Sequence, residues 1–449
     1  MNRPPYEVAD VIREYGKQFV QTYGGLLDLI HLRVLHAIEN CRTAVLGGHI
    51  EECDQCRHRV ISYNSCLNRH CPKCQGAARE KWLANRTADL LPVPYFPVVF
   101  TVPQLLAPLA LQNKRVVYGI LFRAASETLL EVAANPKHLG AETGFLAVLH
   151  TWGQNLQHHP HLHCVVPGGG LSPDHTRWIS ARSHFLLPVK VLSRVFRGKF
   201  LALLQTAFRK GRLQFHGSLA ALPRKPAFQS LLGRAYSCEW VVYTKPPFGS
   251  PEQVLRYLSR YTHRVAISNH RIVKVADGNV TFLWRDYAHG NKKRQMTLPA
   301  CEFLRRFFLH VLPQGFVRIR HFGFLANRHR KTSLELCRRL LQVRPTVAAG
   351  ATVDLDLPPC RACRAGRLRI VEHLSSQLRA LTQPDSSISA GSGFKIHSAV
   401  RLSSMPPYLK CSGAPLAVFP PASCRPSTPD QRYRIIGSGL GSPNARTAH

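Results

Sequence analysis

Acidic residues are scarce in this chain of 449: 25 Asp and Glu stand against 60 Lys and Arg, a formal charge of +35 with histidine counted neutral. A surface so positive attracts polyanions and releases their counterions on contact, which makes DNA or RNA the default partner. A ribosome-associated protein is the plainer alternative. Long apolar runs are also missing. The closest, residues 98–111, is broken by Thr101, Pro103, Gln104 and Pro108, short of the roughly 18 residues a membrane helix needs. The first fifteen residues carry Glu7, Asp10 and Glu14 and no apolar h-region, which argues against a secretory signal and for a cytosolic protein. No internal repeat is present. What is abundant is core material, at 45% hydrophobic residues, so the cationic excess is not that of a wholly disordered basic tail. The length corresponds to roughly two to three domains. Fourteen cysteines without an export signal point to metal binding or buried thiols before disulfides.

Periodicity gives the organisation. Residues 1–40 read as helix, with Val8, Val11, Ile12, Tyr15 and Phe19 at helical spacing and a second apolar stretch after Gly24-Gly25. A helix is expected near 77–91, a buried strand at 96–102 and a long helix at 112–134. Strands at 144–152 and 159–166 have only a short polar connection, which predicts an antiparallel pair. Helical signals return at 189–212, a short strand at 239–243, and a helix at 251–262 opening on Pro251. A hairpin is expected around Asp277-Gly278 and a helix at 300–312. From about residue 346 no periodic pattern persists, and 346–449 is expected to be largely disordered.

Cys53-Asp54-Gln55-Cys56 and Cys71-Pro72-Lys73-Cys74 form two Cys-x-x-Cys pairs with fourteen residues between them. Four thiolates suit tetrahedral Zn²⁺, a d¹⁰ ion with little geometric preference of its own. Cys41, His49, Cys66 and His70 lie in the same segment, so a second ion or an exchange of ligands is open. Lys73, Arg57, Arg59 and Arg69 surround the pairs and suggest phosphate contact. Cys360 and Cys363 form a third pair with no partner pair downstream, a weaker metal candidate.

In His159-Pro160-His161-Leu162-His163, alternation along a strand puts the three histidines on one face and Leu162 in the core. All three would span about 13 Å at about 3.3 Å per residue, too far for one cation. His161 and His163 are therefore the ligand pair, with a third ligand from His150, from Gln154, or from His159 if the strand bends at Pro160. A histidine-rich strand that is merely polar is the competing reading. Tyr257 and Tyr261 stand four apart, on one face of the expected helix. Together with Val254 and Leu258 they also make an ordinary apolar stripe. A phenol with its pKa near 10 becomes a useful nucleophile only where its anion or the transition state is stabilised, as a nearby divalent cation would do.

These motifs occur in one order. The zinc knuckles are followed by Val99-Phe100-Thr101-Val102-Pro103 and His161-Leu162-His163. Next come Tyr257-Leu258-Ser259-Arg260-Tyr261-Thr262-His263-Arg264 with Ala266-Ile267-Ser268-Asn269, and last Arg318-Ile319-Arg320-His321 with Leu325-Ala326-Asn327-Arg328-His329. Over roughly residues 10–345 the chain resembles the bacterial rolling-circle insertion-sequence transposases, which carry an N-terminal zinc-binding module and a two-tyrosine HUH (His-hydrophobic-His) nuclease. The resemblance implies an α+β fold: an antiparallel-sheet nuclease domain flanked by helices, with the histidine pair on a central strand and the tyrosine helix beside it. It implies single-strand cleavage at mobile-element ends, with tyrosine joined to the 5′ phosphate, and transfer of that strand without ATP. The roles that follow are Tyr257 and Tyr261 as nucleophiles, His161 and His163 as ligands of Mg²⁺ or Mn²⁺, and Cys53, Cys56, Cys71 and Cys74 as ligands of Zn²⁺. Lys245, Arg260, Arg264, Arg320 and Arg328 would hold DNA, in a nucleoid-associated protein with no membrane partner. Two departures stand out: Pro97 where relatives commonly carry His, and the tail beyond 346.

The expected division is a helical segment at 1–40, a zinc module at 41–80, the nuclease domain at 92–270, a basic DNA-binding part at 271–345 and the tail at 346–449. A plasmid replication initiator or relaxase would share the chemistry, but no helicase region is visible. A catalytically inactive zinc-stabilised DNA-binding protein would share the charge but form no covalent adduct.

Overall fold

The computed structural model describes residues 4–75, 82, 89–248, 253–254, 257, 265–286, 290, 292–343 and 357–376. Two helices open the chain, α1 (Val8–Tyr23) and α2 (Leu29–Glu39), the second capped by Asp28 accepting from the His31 amide. A hairpin of β1 (Gly48–Cys53) and β2 (Arg59–Tyr63) follows, absent from the sequence expectations because cysteine and polar residues mask its alternation. Then come β3 (Tyr95–Thr101), α3 (Ala107–Gln112), α4 (Lys114–Ala134), β4 (Gly144–Trp152) and β5 (His158–Pro167). These match the expected strands and long helix closely. A small hairpin, β6 (Gly169–Leu171) with β7 (Trp178–Ser180), leads to α5 (Val189–Arg209), α6 (Lys225–Ser237) and β8 (Val242–Thr244).

Five strands form one antiparallel sheet in the order β12-β4-β5-β3-β8, where β12 is Ile319–Gly323. On one face Phe96, Val98 and Phe100 of β3, Phe145, Ala147 and Leu149 of β4, and Leu162, Cys164 and Val166 of β5 meet α4 and α5 in the largest apolar cluster. The other face buries Tyr95, Leu146, Val148 and Val165 against Val254, with Tyr257 and Phe248 packed beside them. With both faces covered, β4 is buried at every position and loses the polar alternation of a one-sided strand.

A second core joins α1 and α2 to the sheet of β9 (Ile272–Ala276), β10 (Asn279–Asp286) and β11 (Lys292–Pro299) and to α7 (Ala300–Phe308). Phe19 of α1 stacks on Phe308 of α7 at 5.3 Å. The expected boundaries at 40 and 271 therefore do not separate independent pieces: the N-terminal helices share a core with residues 272–311, and β12 belongs to the five-stranded sheet. α8 (Arg330–Leu340) follows β12.

Part of the expected tail is ordered. Residues 357–376 fold back on the zinc module, where β13 (Leu368–Leu374) pairs antiparallel with β1. Of the expected helix at 77–91 most lies outside the described residues, and of the one at 251–262 Gln253, Val254 and Tyr257 are described and helical. No helix among the described residues is long and apolar enough to cross a membrane.

Candidate active site and metal centres

Register places the histidines. His150 of β4 lies opposite His161 of β5, and Val148 opposite His163. An irregularity between His150 and Trp152 shifts the pairing at His159-Pro160, where proline has no amide to donate. One ring nitrogen from each of His150, His161 and His163 lies within 4.8 Å of the other two. Of the third-ligand candidates, His150 completes the group. His159 sits with its ring 5.3 Å from that of His161, its pKa lowered by burial, and is not part of the trio. Gln154 stays in the β4–β5 turn, where its carbonyl accepts from Arg271.

Two of the trio are shielded from water, His150 at 2% and His163 at 7% exposed, while His161 is half-buried. Trp152 stacks on His150 with ring centroids 4.6 Å apart and fixes its plane. His161 donates from Nδ1 to the His159 carbonyl oxygen at 2.7 Å, which leaves its Nε2 with a lone pair. That Nε2 lies 3.1 Å from Nε2 of His163, whose Nδ1 is in turn 3.1 Å from the hydroxyl of Tyr257. Phe248, not anticipated from the sequence, packs on the Tyr257 ring at 4.8 Å. The donor set fits a divalent cation: three imidazoles converge and leave coordination positions for oxygen.

Behind the trio lies a second histidine pair with a structural role. His158 Nε2 meets the Tyr118 hydroxyl at 2.7 Å, and His310 bridges Thr151 and the Leu156 carbonyl at 3.1 and 3.0 Å. Burial lowers the pKa of each to about 3, with each other's proximity adding to the effect at His158.

The other expected residues divide. Tyr261, Arg260 and Arg264 lie outside the described residues. Lys245 is exposed just after β8, opposite Pro97, on the same side of the sheet as the histidines; Pro97 itself pairs with Val165. Arg328 is exposed in the turn before α8. Arg320 points to the opposite face, its guanidinium 4.2 Å from the Phe122 ring centroid and 5.2 Å from that of Phe316.

The expected grouping of Cys53, Cys56, Cys71 and Cys74 around one ion is not what the fold makes. Cys71 and Cys74 join Cys41 and Cys66, while Cys53 and Cys56 join Cys360 and Cys363. The reason is β1–β2, which carries the first Cys-x-x-Cys pair away from the second. Within the first group the Cys74 sulfur lies 3.5 Å from that of Cys41 and 3.6 Å from that of Cys66. A tetrahedron with Zn–S bonds of about 2.3 Å has edges of about 3.8 Å, so the donors fit zinc. Three Cys-x-x-Cys pairs cannot all be matched with one another, so one of them must take two single thiols, and Cys41 and Cys66 supply those to Cys71 and Cys74. The cations around the knuckles are engaged within the protein. Arg57 and Arg59 pair with Glu52 at 3.0 and 2.7 Å, and Lys73 with Glu7 at 2.6 Å. Arg69 donates to the carbonyls of Phe316 and Pro313.

Comparison with known proteins agrees with this architecture. A family model described as "Transposase zinc-binding domain", of the IS91 type, matches residues 11–102, and one described as "Putative transposase" matches residues 144–333. A protein of Sinorhizobium fredii named "Putative transposase y4qJ" is 53% identical over 384 residues, covering 83% of this chain and 96% of its own length. The "Transposase for insertion sequence element IS801" of Pseudomonas savastanoi pv. phaseolicola is 29% identical over 311 residues, 68% of this chain and 72% of its own length. No solved structure matches. With the zinc-binding domain, the transposase domain and a relative matched almost end to end, the chain belongs to the IS91-type insertion-sequence transposases, a rolling-circle family of DNA-cleaving enzymes.

Proposed function

We propose that this transposase nicks single-stranded DNA at the ends of its mobile element through a 5′-phosphotyrosine intermediate, with Tyr257 as a nucleophile and His150, His161 and His163 as the cation site. The observation that carries the reading is the Tyr257 hydroxyl 3.1 Å from Nδ1 of His163, whose Nε2 faces His161. A cation bound at the Nε2 side would neutralise charge on the phosphoryl oxygens. With Nε2 so engaged, His163 keeps its proton on Nδ1 and donates it to the Tyr257 oxygen, which favours the phenolate. The phenol releases its proton to water, the phenolate oxygen attacks phosphorus, the bond from phosphorus to the 3′ oxygen breaks, and that oxygen takes a proton from water and departs as the 3′ hydroxyl. The new ester retains the energy of the broken one, so reversal onto another strand needs no ATP. Tyr261 is the second acceptor when two ends are held at once. Mn²⁺ serves better than Mg²⁺, because Mg²⁺ is harder and prefers an all-oxygen shell to three nitrogens.

The test is incubation with a labelled single-stranded oligonucleotide from the element's own end and Mn²⁺, followed by denaturation. Label retained on the protein is expected. Absence of an adduct under conditions where the oligonucleotide is bound would reduce the chain to a DNA-binding scaffold.

A further inference from the structure

The zinc-binding domain match ends at residue 102 and so omits Cys360 and Cys363, yet these two thiols close on Cys53 and Cys56. The Cys53 and Cys363 sulfurs are 3.7 Å apart, as are those of Cys56 and Cys360, the edge length of a ZnS₄ tetrahedron. The two halves are built alike. Each Cys-x-x-Cys is followed by an arginine in the left-handed region, Arg57 at φ 58° and Arg364 at φ 61°. Each also turns an amide toward sulfur: Cys56 N to Cys53 Sγ at 3.5 Å, and Gly366 N to Cys363 Sγ at 3.3 Å. A side chain at position 366 would run into the Cys53 sulfur, so glycine is required there. The knuckles are joined by Asp54 N to the Arg367 carbonyl at 3.0 Å and Arg367 N to Asp54 Oδ1 at 2.8 Å.

Apolar burial cannot hold this segment by itself. Its cluster consists of Cys53, Cys360 and Leu368 with Cys363 beside them, and Ile370 and Val371 of β13 are about half exposed. A strand with so little core needs another anchor, and a structural metal is the usual one in so small a unit.

We propose that Cys53, Cys56, Cys360 and Cys363 hold a zinc ion of their own, distinct from that of Cys41, Cys66, Cys71 and Cys74, and that this ion fastens residues 357–376 to the N-terminal module. The same turn carries Arg361 to a groove of about 920 Å³ that Arg42, Tyr63 and His270 also line.

Zinc content of the full chain tests this without reference to DNA cleavage. Cys360→Ser with Cys363→Ser should lose one zinc per chain relative to wild type and open residues 357–376 to protease, while residues 4–343 stay resistant. An unchanged zinc count would overturn the proposal. Because a variant can misfold, the wild-type protein supplies a second measurement by alkylation and mass spectrometry. Cys56, which is exposed, and Cys363 should resist alkylation until a chelator is added. Free alkylation of both in zinc-replete protein would equally overturn it.

Discussion

Along β5, Leu162, Cys164 and Val166 enter the apolar layer beneath α4 and α5, whereas His161 and His163, from the same few residues of chain, face His150 and Tyr257. One face supplies stability and the other carries the proposed chemistry, and the pleat keeps the two on opposite sides of the sheet. The difference teaches why the histidines can be rigid. The Leu162 side is closely packed under the helices, so the strand cannot slip by a residue without driving two imidazoles into the apolar layer and expelling leucine from it.

Changes on the two faces should separate. The largest effect is expected from Tyr257→Phe, which should lower covalent capture of DNA by about 10²-fold or more while costing only about 1 kcal/mol of stability, since one hydrogen bond is lost. Adduct yield and thermal melting on the same sample check it. Leu162→Ala, between the two histidines in sequence, should do the reverse. It should destabilise by about 2–5 kcal/mol, and the protein still folded should cleave at nearly the wild-type rate.

A third prediction concerns acid. His158 and His310 titrate at about 3 in the fold, against about 6.5 unfolded, so between those values the unfolded chain binds more protons. Their contribution to stability is therefore complete above pH 6.5 and is lost as pH falls toward 3. Urea midpoints measured from pH 7 to 4 should fall steadily, and less so in a His310→Gln variant. The smallest effects compare two arginines. Arg361→Ala should reduce the slope of log affinity for single-stranded DNA against log salt by about 0.7, one phosphate contact, with stability unchanged. Arg320→Ala should leave that slope alone and cost about 1 kcal/mol through its lost stacking on Phe122 and Phe316.

The nuclease sheet was legible because its strands are long, apolar and bounded by turn residues: β4 runs over the expected 144–152, and β5 differs from expectation by one residue at each end. That His161 and His163 converge was legible from spacing, whereas His150 was only one of three candidates to join them, beside Gln154 and His159. The sulfur partners were not legible. Proximity in sequence suggested Cys53 and Cys56 with Cys71 and Cys74, but the thiols that meet them, Cys360 and Cys363, lie beyond the whole five-stranded sheet, and no local period reports a contact of that range. β12 was hidden for a similar reason: its arginine and histidine suggested a DNA-binding segment, while the sheet needed only its backbone, with Ile319 packed on one face and Phe322 on the other. Phe248 carried no signal, since an aromatic after two prolines reads as loop.

The split knuckle has a consequence for the order in which the molecule is made. Cys56 and Cys360 are separated by 304 positions, so a ribosome must deliver the entire catalytic sheet before the first knuckle can find its mate. Until then Cys53 and Cys56 wait as open thiols, and Arg361 is absent from its groove. A nascent chain, or one released early, would thus carry the nuclease without this part of its cationic wall, and the zinc supply at the moment of completion would set when the enzyme becomes whole.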